Sequence, residues 1–249
     1  MHMKQVKLVV FDMAGTTVMD NQDVENAFYE AALATGLITS RRRINAMHGI
    51  PKRIVIETLW EESIGRQHPD FQTNVAETFA TFKEFLEHRY RSHPVYPTKG
   101  TLQIFAWLRS KGIKIALNTG FYREVANIIL HRLGWDKGLD ENYMNGEVID
   151  LSVTPDETGG KGRPHPDMIL KAMEMLGIED PKQVVKIGDT PVDLMEGNAA
   201  NCLLSLAVTN GTHTREELLA YDNDGLLNSM ADLKNFLSEC IASASLEMA

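Results

Sequence analysis

The sequence predicts an α/β protein, a doubly wound and mostly parallel sheet with an all-helical domain inserted after the first strand. Three observations predict it. Short apolar runs at Leu8–Phe11, Ile113–Leu117, Val184–Ile187 and Leu203–Val208 suit strands buried on both faces of a parallel sheet. From Thr101 onward these runs alternate with helical patterns, the signature of βα units. Between about residue 23 and residue 93 there is no convincing buried strand, and apolar residues recur at helical spacing instead.

Leu8–Phe11 ends abruptly in Asp12, and Gly15, Thr16 and Thr17 follow within five residues. The carboxylate therefore stands where a buried strand leaves the sheet. The inserted segment contains Asn26–Thr35, stopped at Gly36, then Ile54–Ile64, stopped at Gly65, then Val75–Tyr90. An insert of about 70 residues is too long for a loop and reads as a small helical domain. His93-Pro-Val-Tyr-Pro97 is a stiff return linker, because proline restricts the backbone. The core domain thus takes 1–19 and 97–249, and the helical cap 20–96. Thr101–Arg109 is helical and closes at Lys111-Gly112, and Ile113–Leu117 runs into Asn118-Thr119-Gly120. Arg123–Leu133 is a helix stopped at Gly134, Val148–Val153 a strand, Thr154–Pro166 a loop, and Asp167–Leu176 a helix stopped at Gly177. Val184–Ile187 runs into Gly188-Asp189. Pro191–Asn201 is a helix with proline where the missing N–H is tolerated. Leu203–Val208 is a strand, Arg215–Ala220 a short helix, and Met230–Ser243 a C-terminal helix.

The whole chain narrows the function. It has 249 residues and a net charge of −9, which argues against nucleic acid or an anionic membrane as partner. Two cysteines without a CxxC spacing fit a reducing compartment, and no apolar run approaches the roughly 18 residues of a membrane span. The first strand begins too early for a signal peptide. Together these features point to the cytoplasm.

An isolated Asp12 equally suits a turn. Its companions decide the matter. Parallel strands bring their carboxyl ends to one edge, where open α/β sheets bind ligands. Asp12, Thr119 and Asp189 all stand at such ends, and Asp193 falls in the first turn of the helix opened by Pro191. Asp12 and Asp189 brought together would repel without a cation. Mg2+ answers that need, since it accepts a few carboxylates and binds phosphate oxygens. In an acidic chain, a phosphorylated substrate also needs a local cation. Arg163, in GKGRPHP, is the candidate, with Lys161 as the alternative.

Four motifs carry a resemblance: DMAGTT at Asp12–Thr17, NTG at Asn118–Gly120, GRP at Gly162–Pro164 and GDTPVD at Gly188–Asp193. The chain resembles the haloacid dehalogenase superfamily of aspartate-nucleophile hydrolases along nearly its whole length. The resemblance implies that Asp12 attacks phosphorus to form an aspartyl-phosphate. It implies that Thr119 binds phosphoryl oxygens and that Arg163 offsets the charge of nucleophile and phosphoryl group. Asp189 would hold Mg2+ with Asp12 and the Ala14 backbone carbonyl, and Asp193 would support that site. Thr16 and Gly120 would be substrate contacts.

Ala14 is the informative departure. Phosphatases of this superfamily generally carry a second Asp there for general acid–base work, and Ala14 cannot transfer a proton. DxAGTT, TGFYRE (Thr119–Glu124) and VTPDETGGKGRPHPDMI (Val153–Ile169) resemble the phosphonatase branch, whose phosphonoacetaldehyde hydrolases cleave a phosphorus–carbon bond. Such cleavage needs the departing carbon stabilised, and an imine with a lysine does this. The branch carries that lysine in its cap as Gly-x-x-Lys, matched by Gly49-Ile50-Pro51-Lys52. Gly49 and His48 would be further substrate contacts. Val55, Phe121 and Gln22 depart from the His, Tyr and Cys of the familiar enzymes, and His48 is the candidate replacement imidazole. The leading expectation is a Mg2+-dependent hydrolase of a small phosphonate. A phosphatase of small phosphorylated metabolites and a non-catalytic phosphate-ligand binding protein are the alternatives. The resemblance further implies a homodimer paired through the caps.

Overall fold

The computed structural model describes residues 6–47 and 50–238. Six parallel strands form one sheet in the order β3-β2-β1-β4-β5-β6, namely β1 (Leu8–Asp12), β2 (Lys114–Asn118), β3 (Leu151–Val153), β4 (Val184–Gly188), β5 (Leu204–Val208) and β6 (Gly225–Leu227). β1 is central because it can be buried on both faces. Successive side chains of a strand point to opposite faces, and Val9 and Phe11 join one buried apolar cluster while Leu8 and Val10 join another. The chain runs outward through β2 and β3, then returns to the other side of β1 as β4. That reversal is the topological switch point of a doubly wound sheet, and the crevice beyond its strand ends is the usual ligand site. Asp12 pairs in register with Asn118, and Phe11 with Ile187, so Asp12, Thr119 and Asp189 leave the sheet at one edge.

Helices α1 (Asp23–Ala34), α2 (Arg41–Asn45), α3 (Lys52–Ile64) and α4 (Phe71–Ser92) form the insert between β1 and the rest of the core. α1 packs along α4, with Phe28 and Phe82 rings 4.9 Å apart, and α3 packs on α4, where Trp60 Nε1 donates to Thr78 Oγ1 at 2.9 Å. α4 also meets α6 (Arg123–Leu133) of the core; Tyr90 stands edge-on to Phe121 at 5.9 Å, and Phe79 to Tyr122 at 6.1 Å. Further helices are α5 (Thr101–Ser110), α7 (Asp167–Leu176), α8 (Pro191–Ala199) and α9 (Arg215–Leu218).

The expected elements recur with a few differences. β3 is half the expected length. The Asp150 carboxylate accepts the Ile115 amide at 2.9 Å and replaces the ladder there, so the strand begins only at Leu151. The loop 154–166 holds a 3-10 turn, Pro155–Thr158. The expected helix Pro191–Asn201 ends at Ala199, and Asn201 adopts φ 56°. α2 and β6 are additional to the sequence reading. Of the C-terminal helix expected over Met230–Ser243, Met230–Asp232 is a 3-10 turn and 233–238 is α-helical; the remainder lies outside the described residues. Among the described residues no helix is long and apolar enough to cross a membrane.

Candidate active site

Asp12 ends β1 buried, and its Oδ1 accepts from Arg163 Nη2 at 2.5 Å. The same guanidinium donates to the Asn118 carbonyl at 3.0 Å, and its Nη1 lies 2.9 Å from Asp193 Oδ1. The Arg163 side chain is 1% exposed. Burial works against its charge, but Asp12, Asp193 and Glu196 together hold it firmly protonated.

Asp189 follows β4 and is fully buried. Its Oδ2 accepts from the Thr212 amide and hydroxyl, both at 2.7 Å, and its Oδ1 from Thr16 Oγ1 at 3.2 Å. The Asp12 loop approaches it so closely that only glycine fits at Gly15. A Cβ there would stand 2.3 Å from Asp189 Oδ2, and the backbone φ is +89°. Asp193 is N3 of α8, where its Oδ2 accepts from Thr190 Oγ1 at 2.6 Å and from the Thr190 amide at 3.2 Å. Its Oδ1 lies 2.9 Å from both Arg163 Nη1 and Lys186 Nζ, close ion pairs that miss hydrogen-bond geometry.

Electrostatics separates these carboxylates. Burial alone would raise Asp193, yet Arg163 and Lys186 overrule it and hold that carboxyl well below its ordinary value. Asp189 has no such cation and is pushed up to about 8 by burial and by the charges of Asp12 and Asp193. Burial also raises Asp12; Arg163 opposes this and Asp193 adds to it. Oxygens of Asp12, Asp189 and Asp193 lie within 4.8 Å of one another. An all-oxygen donor set in which one buried carboxylate lacks a counter-charge fits a hard divalent cation such as Mg2+. Asp189 is the carboxylate that needs it, since Asp12 and Asp193 both face Arg163.

Lys52 opens α3 and is 7% exposed. It lines a pocket of about 30 Å3 together with Asp12, Ala14, Asp20, Thr119, Phe121 and Arg163. Burial first, and Arg163 second, push its ammonium down to about 8, against the pull of Asp12, Asp20 and Asp189. The sequence-predicted residues Asp12, Ala14, Lys52, Thr119, Gly120 and Arg163 therefore meet around one pocket. Thr16 is not on its wall. It is buried behind, bonded to Asp189. Thr119 Oγ1 accepts the Phe121 amide at 3.2 Å, which fixes the turn after β2. Lys161 extends to Asp167 at 3.5 Å and leaves Arg163 as the buried cation. His48 and Gly49 lie outside the described residues.

The site also draws in residues that the sequence reading leaves out. Lys186 is fully buried in β4, donating to Asn118 Oδ1 at 2.7 Å and lying 3.3 Å from Glu196 Oε2. Asn118 Nδ2 donates to both Glu196 oxygens at 2.9 and 3.0 Å. A lone lysine inside the apolar run VVKIG is the signal for this buried network.

A family model described as haloacid dehalogenase-like hydrolase matches residues 6–201. Phosphonoacetaldehyde hydrolase of Bacillus cytotoxicus is 31% identical over 212 residues, spanning 79% of this chain and 73% of that protein. Phosphonoacetaldehyde hydrolase of Bacillus cereus is 28% identical over 251 residues, spanning 93% and 88%. Among solved structures, a phosphonoacetaldehyde hydrolase-like protein of Oleispira antarctica superposes with a TM-score of 0.78 at 19% identity, covering 94% of this chain and 92% of its own, a likeness of fold. The chain belongs to the haloacid dehalogenase-like hydrolases, within their phosphonatase branch.

Proposed function

We propose that the protein hydrolyses the phosphorus–carbon bond of a small phosphonate aldehyde, with phosphonoacetaldehyde the leading substrate. The observation that carries this reading is Lys52, buried in the same pocket as Asp12 with its ammonium lowered to about 8. A lysine needed only for charge has no reason to be desolvated, whereas an imine-forming lysine must be neutral part of the time. The Lys52 amine condenses with the aldehyde. Thr119, Gly120 and Arg163 hold the phosphonate, and Asp12 attacks phosphorus. The electron pair of the breaking phosphorus–carbon bond moves into the imine, which becomes an enamine, and the phosphoryl group rests on Asp12 until water removes it. Mg2+, held by Asp12, Asp189 and the Ala14 carbonyl with Asp193 in support, would neutralise the charge of carboxylate and phosphoryl group. Thr16, through its bond to Asp189, orients that carboxylate. We keep His48 and Gly49 as substrate contacts on the resemblance alone. The helical unit 20–96 closes over the substrate, and two copies pair through it; exposed Leu33, Ile38 and Ile54 are in keeping with such pairing. A cytoplasmic setting is in keeping with the buried free thiol of Cys202.

The test is reductive trapping. Incubation with phosphonoacetaldehyde and borohydride should yield an adduct that maps to Lys52, and Asp12→Asn should abolish phosphate release. Absence of any adduct, with Mg2+-dependent phosphate release from small esters, would replace this reading by that of a phosphatase.

A further inference from the structure

A pocket that holds an imine-forming lysine must exchange protons. Among the described residues lining it, only Asp12 and Asp20 carry carboxyls. Asp12 is held by Arg163 at 2.5 Å and is committed, on the reading above, to attack on phosphorus. Ala14 and Val24 carry nothing that ionises, and Val55, buried one turn beyond Lys52, adds no titratable group. Asp20 has a second property. It also lines a cleft of about 470 Å3, walled by Gly15, Met19, Gln22, Glu25, Asn45 and Lys99. Asp20 and Thr212 are common to both walls, and Asp20 alone of the two can gain and lose a proton.

We propose that Asp20 is the proton-transfer residue of imine formation, taking a proton from Lys52 and returning it to the departing hydroxyl across the wall between pocket and cleft. The proposal rests on the phosphonate reading above. The carboxylate of Asp20 accepts a proton from the Lys52 ammonium and leaves a neutral amine. The nitrogen lone pair forms the N–C bond as the carbonyl π pair moves to oxygen, and a proton shift from nitrogen to oxygen gives the carbinolamine. Asp20 then protonates the hydroxyl. Water leaves with the C–O electron pair, the nitrogen lone pair closes the C=N bond, and the products are the protonated imine, water and the Asp20 carboxylate.

The surroundings suit this exchange. Burial raises the Asp20 carboxyl, while the Asp23 amide and the Lys52 charge draw it back down. That brings donor and acceptor closer in affinity than an exposed pair, as general acid–base transfer favours. The charged and titratable neighbours are Lys52 on α3, Asp23 at the start of α1 and Tyr90 on α4, with Asp12 and Arg163 on the pocket wall and Glu25 and Lys99 on the cleft wall. The Tyr90 phenol is held well above its ordinary value by burial and by Asp20, Asp23 and Asp12, so it stays protonated and does not compete.

Asp20 Oδ1 also accepts the Asp23 amide at 3.1 Å, so a purely structural role at the head of α1 is the rival explanation. Asp20→Asn keeps an oxygen for that bond and removes the proton carrier. In rapid-quench trapping with phosphonoacetaldehyde and borohydride, the Asn variant should form the Lys52 adduct about 100-fold more slowly than wild type, with affinity for inorganic phosphate unchanged. Asp20→Ser should be equally slow, and formate, entering from the cleft, should restore part of its rate, which a structural loss does not allow. The Ser comparison with and without formate also serves if the Asn variant does not fold. Wild-type adduct formation together with an undiminished rate in the Asn variant, or slow Ser trapping that formate leaves unmoved, overturns the role of Asp20 alone. Absence of an adduct in wild type overturns the phosphonate reading and this role with it.

Discussion

On the proposed imine role Lys52 must be neutral to attack a carbonyl, yet it faces Asp12, Asp20 and Asp189, all of which favour its charge. Burial and Arg163 prevail and bring it to about 8. Its place at the first residue of α3 works the same way, because the positive end of a helix dipole disfavours an ammonium. At pH 7 about a tenth of such a lysine is neutral. With Asp20 replaced by Asn, so that no carboxylate takes the proton, the rate of adduct formation should therefore rise by up to about ten-fold between pH 7 and pH 9 and then level off. A profile flat across that range would mean that Lys52 is not the titrating amine. Stability gives an independent reading. The folded value lies below the unfolded 10.5, so the cost of burying the charge is fully present below about 8, shrinks between 8 and 10.5, and is gone above. That shift corresponds to at most about 3 kcal/mol. Lys52→Met should thus form no adduct and melt higher than wild type at pH 7, with the gain vanishing near pH 10.5. At this scale the sequence was legible where a residue's position at or just past a strand end decides its place, as for Asp12, Thr119 and Asp189. It was not legible for Lys186 and Glu196. Their partners Asn118 and Arg163 come from distant segments, and only the fold brings them together.

The seat of α3 decides where Lys52 points. Pro51, the residue before it, packs against Gly162, and a Cβ on Gly162 would stand 2.6 Å from Pro51 Cγ. A proline ring has little freedom to yield, so the helix start itself must move. Gly162→Ala should displace Lys52 while leaving Asp12 and Thr119 in place. Misplacing reacting groups by about 1 Å can cost about 100-fold, so adduct formation should slow by up to that factor while inhibition by inorganic phosphate is retained. An unchanged trapping rate would show that Lys52 is positioned from elsewhere in α3. Gly162 was visible in the sequence as part of GRP, but its contact across the insert was not. Helices α5, α6 and α7 were readable to within a residue because apolar periodicity and a following glycine fix both face and end. α2 escaped because it is a single turn, RRRIN, with one buried side chain, held by Ser40 accepting the Arg43 amide. β6 escaped because three residues at a sheet edge, only Leu227 of them buried, carry no period.

Over the whole molecule, one buried apolar cluster runs from Val24, Phe28 and Phe82 of the insert to Phe11, Ile187 and Leu206 of the sheet. The sequence showed two units in series. It did not show that their cores are continuous, since that depends on how α4 lies against α6. The pocket lies where the two units meet, lined by Asp20, Val24 and Lys52 of the insert and by Asp12, Thr119 and Arg163 of the sheet side. A shared core should make folding a single cooperative event, and the crowding of the buried carboxylates should weigh on its stability. Asp12, Asp189 and Asp193 are confined within 4.8 Å, and Asp189 has no counter-charge of its own. A ligand that binds the folded chain alone stabilises it by mass action, about 2.7 kcal/mol at 100 times its Kd. For a chain of this length that corresponds to roughly 5–10 °C in Tm. Calorimetry should therefore give one transition that rises by this amount with saturating Mg2+ and returns on chelation. Asp189→Asn removes the crowded charge and one ligand together, so its metal-free form should melt no lower than wild type and should gain little from Mg2+. Equal Mg2+ shifts in wild type and Asp189→Asn would move the cation away from this carboxylate, and two separate transitions would mean that the insert and the sheet do not fold as one.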